Sequence, residues 1–390
     1  MQGTPFFEPA IMSTPSLDHS RLALVLQGGG ARGAYHVGAL KAIAEITQAR
    51  RSPFHIVCGA SVGAINAASI AVATHDFQNG VAHLEGLWRS LRTQTIFDAR
   101  ALPLLGTSLR WAMTPVLARF GYPTTGGFLD YGPLCRMLEQ EFNRDHLRSA
   151  IRSGALHALS ITASSYEDGD AVTFFEGARE IEDWQRARRR GTRVRIGPEH
   201  ILASAALPFA FAPVRLEDGF YGDGSLRLTS PLSPAIHLGA DRVLVITTRD
   251  GTLGPVGRKR GATSPSIGEI AGHALDIIFN DSLEADHERL LRVNHTISLL
   301  SPEARAQHTL KAIDTHLLRP SQDIRDQARA HARELPLPLR VLLRSLGTAN
   351  SDGRIESYLM FEPGYVGALI DMGYADTMAD AAAVRALLAP

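Results

Sequence analysis

The stretch Leu24 to Leu40, LVLQGGGARGAYHVGAL, constrains the fold more than any other part of the chain. An apolar run enters three glycines and leaves with Val37, Leu40, Ile43 and Ile46 at helical spacing, so a buried strand turns sharply into a helix. Two chemistries use such a turn. Gly28, Gly30 and Gly33 satisfy G-x-G-x-x-G, the dinucleotide fingerprint, whose glycines let backbone approach a pyrophosphate. The same residues spell G-G-G-x-R-G, which can aim backbone N–H groups at a developing oxyanion.

The flanking chain repeats the pattern. FHIVCGA (54–60) reads as a second buried strand and GAINAASIAVA (63–73) as a helix of small residues suited to close packing on a sheet. This βαβα order predicts an α/β fold with a largely parallel sheet. HALSITASSY (157–166) and AVTFFE (171–176) read as strands around an Asp-Gly-Asp turn. DRVLVITT (241–248) is a further buried strand, preceded by the helix signal SPLSPAIHLGA (230–240) that ends near Gly239. Residues 97–127 lack clean periodicity and read as a cap or insertion, in which LRWAMTPVLARF (109–120) suits an interfacial lid or a packed cap helix. From Gly251 a Gly/Pro/Ser-rich basic linker leads into helical patterns over about 266–293, 320–347 and 360–388, with HTISLL (295–300) as a strand candidate.

Composition narrows the partners. The 390 residues carry a formal net charge of zero, so no global field favours nucleic acid. Cys58 and Cys135 are the only cysteines; they form neither a metal-ligand spacing nor a disulfide framework, and a reducing, cytoplasmic setting is expected. The first twenty residues lack a basic start and an unbroken apolar stretch and read as a loose tail rather than a secretory signal. No window approaches the apolar length of a transmembrane helix, which leaves open surface attachment to a membrane.

The second informative stretch is VCGASVGAIN, where Gly59-Ala60-Ser61-Val62-Gly63 is a G-x-S-x-G between a buried strand and a small-residue helix. A nucleophile elbow needs this context, because only small flanking residues let strand and helix approach closely around a strained serine. Ser61 then sits at a helix N-terminus, which favours developing negative charge. The dinucleotide alternative wants an acidic residue at the end of the second strand; here that strand ends in Cys58 and Gly59, and Glu45 falls inside the helix. A P-loop would need a Lys-Ser/Thr pair after the glycines. Arg32 opposes the helix dipole, so it either makes an ion pair with a neighbouring loop, or it braces the glycine loop or meets an anionic head group.

A serine nucleophile needs a base. In FYGDGSLRLTSPLSPAIHLGAD (220–241), Asp223-Gly224 precedes the prolines that open a helix, whereas Asp218-Gly219 reads as a plain turn. His237, His273 and His287 follow in the chain order a Ser–Asp–His triad would use, but each falls inside a helical pattern. ALPFAFAP (206–213) suits an acyl pocket or ordinary core, and QRARRRGTRVR (185–195) suits anionic head groups or a solvated surface.

Taken in order and spacing, G-G-G-x-R-G at Gly28 to Gly33, G-x-S-x-G at Gly59 to Gly63 and Asp223-Gly224 before the proline-led helix resemble the patatin-like phospholipases over residues 21 to about 250. The resemblance implies a three-layer α/β/α fold with a mostly parallel central sheet and a histidine-free Ser–Asp dyad. Carried over, Ser61 is the nucleophile and Asp223 the base. Gly28, Gly29, Gly30, Arg32 and Gly33 form the oxyanion hole, with Gly59 and Gly63 flanking the elbow. Ser225 departs from the family, which usually has glycine or alanine there. The implied organisation is a tail at 1–20, a catalytic domain at 21–250 and a linker with a mainly helical extension at 251–390. The implied activity is acyl-ester hydrolysis of lipids without cofactor or metal. Other readings are an esterase or thioesterase on small or polymeric esters, a binding module that keeps the fold, and a nucleotide-dependent oxidoreductase. The expected partners are an acyl-ester substrate and a membrane surface rather than nucleic acid; oligomeric state is not fixed by the sequence.

Overall fold

The computed structural model describes residues 20–97, 129–208, 210–249, 264, 266–307, 309–345, 347 and 353–389. The expected cap and lid at 97–127 apart from Phe97, the tail apart from Ser20, and nearly all of the linker lie outside the described residues.

Ten strands form one sheet: β1 Leu22–Leu26, β2 Ile56–Ala60, β3 Ala158–Ser165, β4 Ala171–Gly177, β5 Trp184–Arg186, β6 Arg189–Arg193, β7 Val214–Leu216, β8 Gly219–Gly222, β9 Arg242–Ile246 and β10 Asp314–Leu318. The main path runs β10-β9-β1-β2-β3-β4-β6-β5, with β8 on β3 and β7 on β8. From β10 to β3 every pairing is parallel; β4 turns antiparallel to β3. β1 and β2 are buried along their whole length, as parallel strands covered on both faces must be. From β1 the chain builds outward to β2 and β3, then returns to add β9 and β10 on the other side. The crevice between β1 and β9 is therefore a topological switch point, where α/β sheets place their sites.

Helices α1 (Ala34–Thr47), α2 (Val62–Val72) and α3 (Phe77–Ser90) cover one face, which buries Leu22, Leu24, Leu26 and Val57. The other face buries Ala23, Val25 and Cys58 beneath Leu232, Ala235, Leu283 and Leu290. The layers are helix, sheet, helix, as the resemblance implies.

Several segments differ from the sequence expectation. HTISLL does not form a strand, because helix Ser282–Ser298 runs into it. Leu290 and Ile297, seven residues apart, both face the core, so the helical period of the longer segment overrides a short β-branched run. Five short strands carry no sequence expectation: β5 and β6, which lie along the basic stretch 185–195, β7 and β8 ahead of Asp223, and β10, DTHLL, a short polar edge strand paired in parallel with β9. The weak alternation of β10 gave no signal. The three long helical patterns are also subdivided. A π-helical turn at Ile277–Asp281 follows helix Ile267–Asp276. Pro336 lies between Ile324–His331 and Leu337–Ser345, and Pro338 sits in the first turn of the latter, where proline is tolerated. Pro363–Ala379 is followed directly by Ala381–Leu388.

The C-terminal region is built into the layers, since β10 extends the sheet and helix Pro363–Ala379 lies along α1. Their backbones meet at glycines: a Cβ on Gly38 would overlap the Ile370 carbonyl, and one on Gly373 the Tyr35 carbonyl. Overpacking such a seam costs about 1–3 kcal/mol or more. Gly373→Val is therefore expected to lower the midpoint of thermal unfolding by several degrees, whereas Gly86→Val, with open space around it, leaves the seam intact.

Candidate active site

β2 ends at Ala60, and Ser61 follows with φ 55 and ψ −130 before α2 begins at Val62. This left-handed conformation is strained for a residue with a Cβ. The flanking glycines make it possible. A Cβ on Gly59 would overlap the Gly63 carbonyl, and one on Gly63 would overlap the Leu26 carbonyl. The Ser61 N–H donates to Ser204 Oγ at 2.9 Å, and Ser204 Oγ donates to the Thr162 carbonyl at 2.5 Å. Ser204, wholly buried on helix Pro198–Ala205, thus ties the elbow to β3. It carries no motif, and the sequence gives no sign of it.

Asp223 lies at the end of β8. Ser61 Oγ donates to Asp223 Oδ2 at 2.6 Å, and the Ser225 N–H donates to Asp223 Oδ1 at 2.9 Å. Its backbone is fixed too, with its N–H on the Ala206 carbonyl at 2.9 Å and its carbonyl accepting from Ser164 Oγ at 2.8 Å. Ser61 is 5% and Asp223 1% exposed. Burial pushes the Asp223 carboxyl up to about 6, against hydrogen bonds from Ser61 and Ser225 that pull it down. The hydrogen bonds of Ser61 and Asp223 involve no histidine among the described residues. His237 stacks on Trp184, His287 bonds Thr315 Oγ1, and His273 is exposed.

The glycine loop leaves β1 and closes in a 3-10 turn at Gly30–Gly33. Gly29 and Gly30 have φ 156 and 54, values that glycine adopts without cost. The first N–H groups of such a turn have no partner within it. Close contacts fix the loop. A Cβ on Gly28 would overlap Ser225 Oγ, one on Gly30 would overlap the Tyr358 carbonyl, and one on Gly33 would press on Val62. Thr248, just beyond β9, donates through its hydroxyl to the Gly28 carbonyl at 2.8 Å. Asn66 of α2 donates to the Gly33 carbonyl at 3.1 Å, contacts His36 Nδ1 and accepts from the Trp88 indole at 2.9 Å. Burial pushes His36 down to about 3, so the imidazole is neutral beneath the loop.

Arg32 is answered from the far end of the chain. Its Nε donates to Ser357 Oγ at 2.9 Å, its Nη2 reaches Asp276 Oδ1 at 3.4 Å, and its guanidinium lies 3.8 Å from the centre of the Tyr358 ring. Asp276 also accepts from the Tyr358 hydroxyl at 2.8 Å and pairs with Arg354 at 3.0 Å. Arg32 thus makes an ion pair with a neighbouring element, and its contacts with Ser357 and Tyr358 brace the glycine loop.

Two other stretches are engaged internally. Arg190 pairs with Asp168, Asp170 and Asp218, and Arg193 donates to the carbonyls of Gly177, Ala178 and Ile181. Phe211 packs against Phe97 and Tyr131, while Phe209 lies outside the described residues. Glu45 accepts from the Tyr374 hydroxyl on α1's outer side, so no acid stands at the end of β2 for a ribose.

Ser204→Ala would leave the Ser61 N–H and the Thr162 carbonyl without their shared partner. Stability is expected to fall by about 1–3 kcal/mol, read from denaturant unfolding, with Ser204→Thr falling less.

The family profile described as "Patatin-like phospholipase" matches residues 24–236. No curated protein sequence matches the chain. Among solved structures the chain is distantly similar to VipD from Legionella pneumophila, at 11% identity and a TM-score of 0.39 over 94% of this chain and 68% of that one. It is similar also to human GIVD cytosolic phospholipase A2 bound to methyl gamma-linolenyl fluorophosphonate, at 13% identity and a TM-score of 0.36 over 95% of this chain and 59% of that one. A third likeness is to ExoU in its complex with SpcU from Pseudomonas aeruginosa, at 16% identity and a TM-score of 0.28, covering 87% and 68% of the two chains. The profile covers more than half the chain and includes the glycine loop, the elbow and Asp223, and the chain belongs to the patatin-like phospholipase family.

Proposed function

We propose that the protein is a serine acyl hydrolase that cleaves acyl esters of lipids through a Ser61–Asp223 dyad. The observation that carries this is the 2.6 Å hydrogen bond from Ser61 Oγ to a buried carboxylate with no histidine between them. Membership of a phospholipase family supports lipid esters as the substrate class.

In the first step Ser61 Oγ attacks the ester carbonyl carbon while its proton passes to Asp223. The carbonyl oxygen becomes an oxyanion, which the N–H groups at Gly28, Gly29 and Gly30 and the N-terminus of α2 are suited to stabilise. Collapse expels the alcohol, which takes the proton back from Asp223, and leaves acyl-Ser61. Water then attacks the acyl carbon, gives its proton to Asp223, and the acid leaves as Ser61 Oγ is reprotonated. Burial suits Asp223 to this task, because a carboxylate with raised proton affinity is a better base for a hydroxyl. Gly59 and Gly63 serve the elbow, Gly33 and Arg32 the shape of the loop.

In this reading residues 21–250 carry the chemistry and 251–390 brace it. The free thiols of Cys58 and Cys135 are consistent with a reducing, cytoplasmic setting. Among the described residues no helix is long and apolar enough to cross a membrane, and a lipid substrate would be met at a surface.

A fluorophosphonate ester is expected to label the wild type and not Ser61→Ala, with labelling and p-nitrophenol release from acyl esters strongly reduced in Asp223→Asn. A wild type that neither labels nor turns over would overturn the proposal. The activity on dissolved esters should rise with pH through about 6 and level off above, as Asp223 ionises. The same group limits stability. Its folded value of about 6 exceeds the ordinary carboxyl value of 3.8, so the stability it contributes is fully present below about 3.8 and is lost as pH rises through 6. Asp223→Asn should therefore be more stable than wild type at pH 8, by about 2–3 kcal/mol from the size of the shift, and the gap should close toward pH 4.

A further inference from the structure

Helix Ile267–Asp276 is inverted relative to an ordinary surface helix. Its buried positions are Gly268 and Gly272, and Gly272 packs against Arg354 and Ile355. Its outward positions are apolar: Ile267 is 72% exposed, Ile270 57% and, on the following π-helical turn, Ile277 49%, with Ala271 and Ala274 exposed between them. Single exposed apolar residues are ordinary. A stripe at 267, 270, 274 and 277 on one face is a contiguous apolar patch, of the kind that marks interaction sites.

Its surroundings indicate what it meets. The acids of this helix are already committed, Glu269 to the Ser266 cap and Asp276 to Arg32, Arg354 and Tyr358. Ser266 Oγ donates to the Gly347 carbonyl at 3.2 Å, which joins the start of the helix to the end of helix Leu337–Ser345. On that second helix Leu337, Arg340, Val341 and Arg344 share one face, with Leu337 62% and Val341 56% exposed. Arg344 is exposed and makes no ion pair with a described carboxylate, while the half-buried Arg340 donates to the Arg333 carbonyl at 3.4 Å. Isoleucine and leucine beside a basic face whose exposed Arg344 has no carboxylate partner among the described residues complement the apolar depth and negative head groups of an anionic lipid surface.

The helix also ends on the glycine loop. The Phe279 carbonyl accepts from Gln27 Nε2 at 2.5 Å, the Phe279 ring lies against Gly28, and it stacks on Tyr358 at 5.1 Å. We propose that the isoleucine face of residues 267–277, with the arginine-bearing face of Leu337–Ser345, docks the protein on anionic lipid surfaces beside the glycine loop. The orientation toward substrate rests on the hydrolase reading above; the docking itself does not.

The test uses the full chain and vesicles of phosphatidylcholine with and without phosphatidylserine. Wild type should sediment with the anionic vesicles, and less so at high salt. Ile267→Ser/Ile270→Ser/Ile277→Ser should bind them at least about tenfold more weakly while hydrolysing dissolved p-nitrophenyl butyrate at the wild-type rate. Arg344→Gln should lose part of the preference for anionic vesicles. Ile270→Trp keeps the face apolar, and its added fluorescence should be quenched by brominated acyl chains. Unchanged vesicle binding by the triple variant, or no quenching, overturns the proposal. So does a wild type that self-associates through this face, seen as a dimer that the triple variant loses in sedimentation velocity. If wild type binds vesicles but hydrolyses no dissolved ester, the hydrolase reading fails and the docking surface stands.

Discussion

The site depends on how closely β2 and α2 approach at Ser61. A non-glycine residue at φ 55 and ψ −130 stores about 1–3 kcal/mol of strain and persists only where its surroundings over-determine it. Three neighbours do so here. Gly63 allows the first turn of α2 to touch the Leu26 carbonyl of β1, Ser204 holds the Ser61 N–H against β3, and Asp223 holds the hydroxyl. Each comes from a different element, so the strand order β1-β2-β3 is a condition for the elbow and not merely its background.

The electrostatics follow from the same crowding. Asp223 carries one strong opposing pair of influences, burial that favours its neutral form and hydrogen bonds from Ser61 and Ser225 that favour the anion. Burial wins, which brings the proton affinity of the carboxyl toward neutral pH, where the general-base role proposed for it is most effective. The other ionisable groups around the loop are kept from competing. His36 is held neutral by burial, and the Arg32 charge is taken up by Asp276 and the Tyr358 ring.

Much of this was legible in the chain. The strand–glycine–helix turns at 24–40 and 56–72, the elbow and the Asp223 turn all have local signatures, because each demands glycine or a small residue at a fixed place. Ser204, Asn66 and Thr248 were not legible. Their roles come from β3, α2 and β9 lying side by side, and a serine, asparagine or threonine in a strand or helix announces nothing alone. β10 escaped for a related reason, since an edge strand with one buried residue has no alternation to read. HTISLL misled because its β-branched run is local, whereas the helix that claims it is set by core contacts seven residues apart.

The part of the chain beyond the family match completes the motif that lies within it. Gly28 and Gly30 are glycines partly because Phe279 and the Tyr358 carbonyl occupy the space where side chains would be, and Arg32 finds its partners at Ser357, Tyr358 and Asp276. In the proposed reaction the loop presents N–H groups to a developing oxyanion, and such a loop gains from being gripped by its neighbours, since preorganised donors need no rearrangement as charge develops. The seam of α1 with Pro363–Ala379 transmits that grip to the core. Tyr35 and Gly38, which follow the glycine loop in α1, lie backbone to backbone with Gly373 and Ile370. The helical extension is therefore a second wall of the candidate site, held to the first by a buried arginine and a seam of glycines.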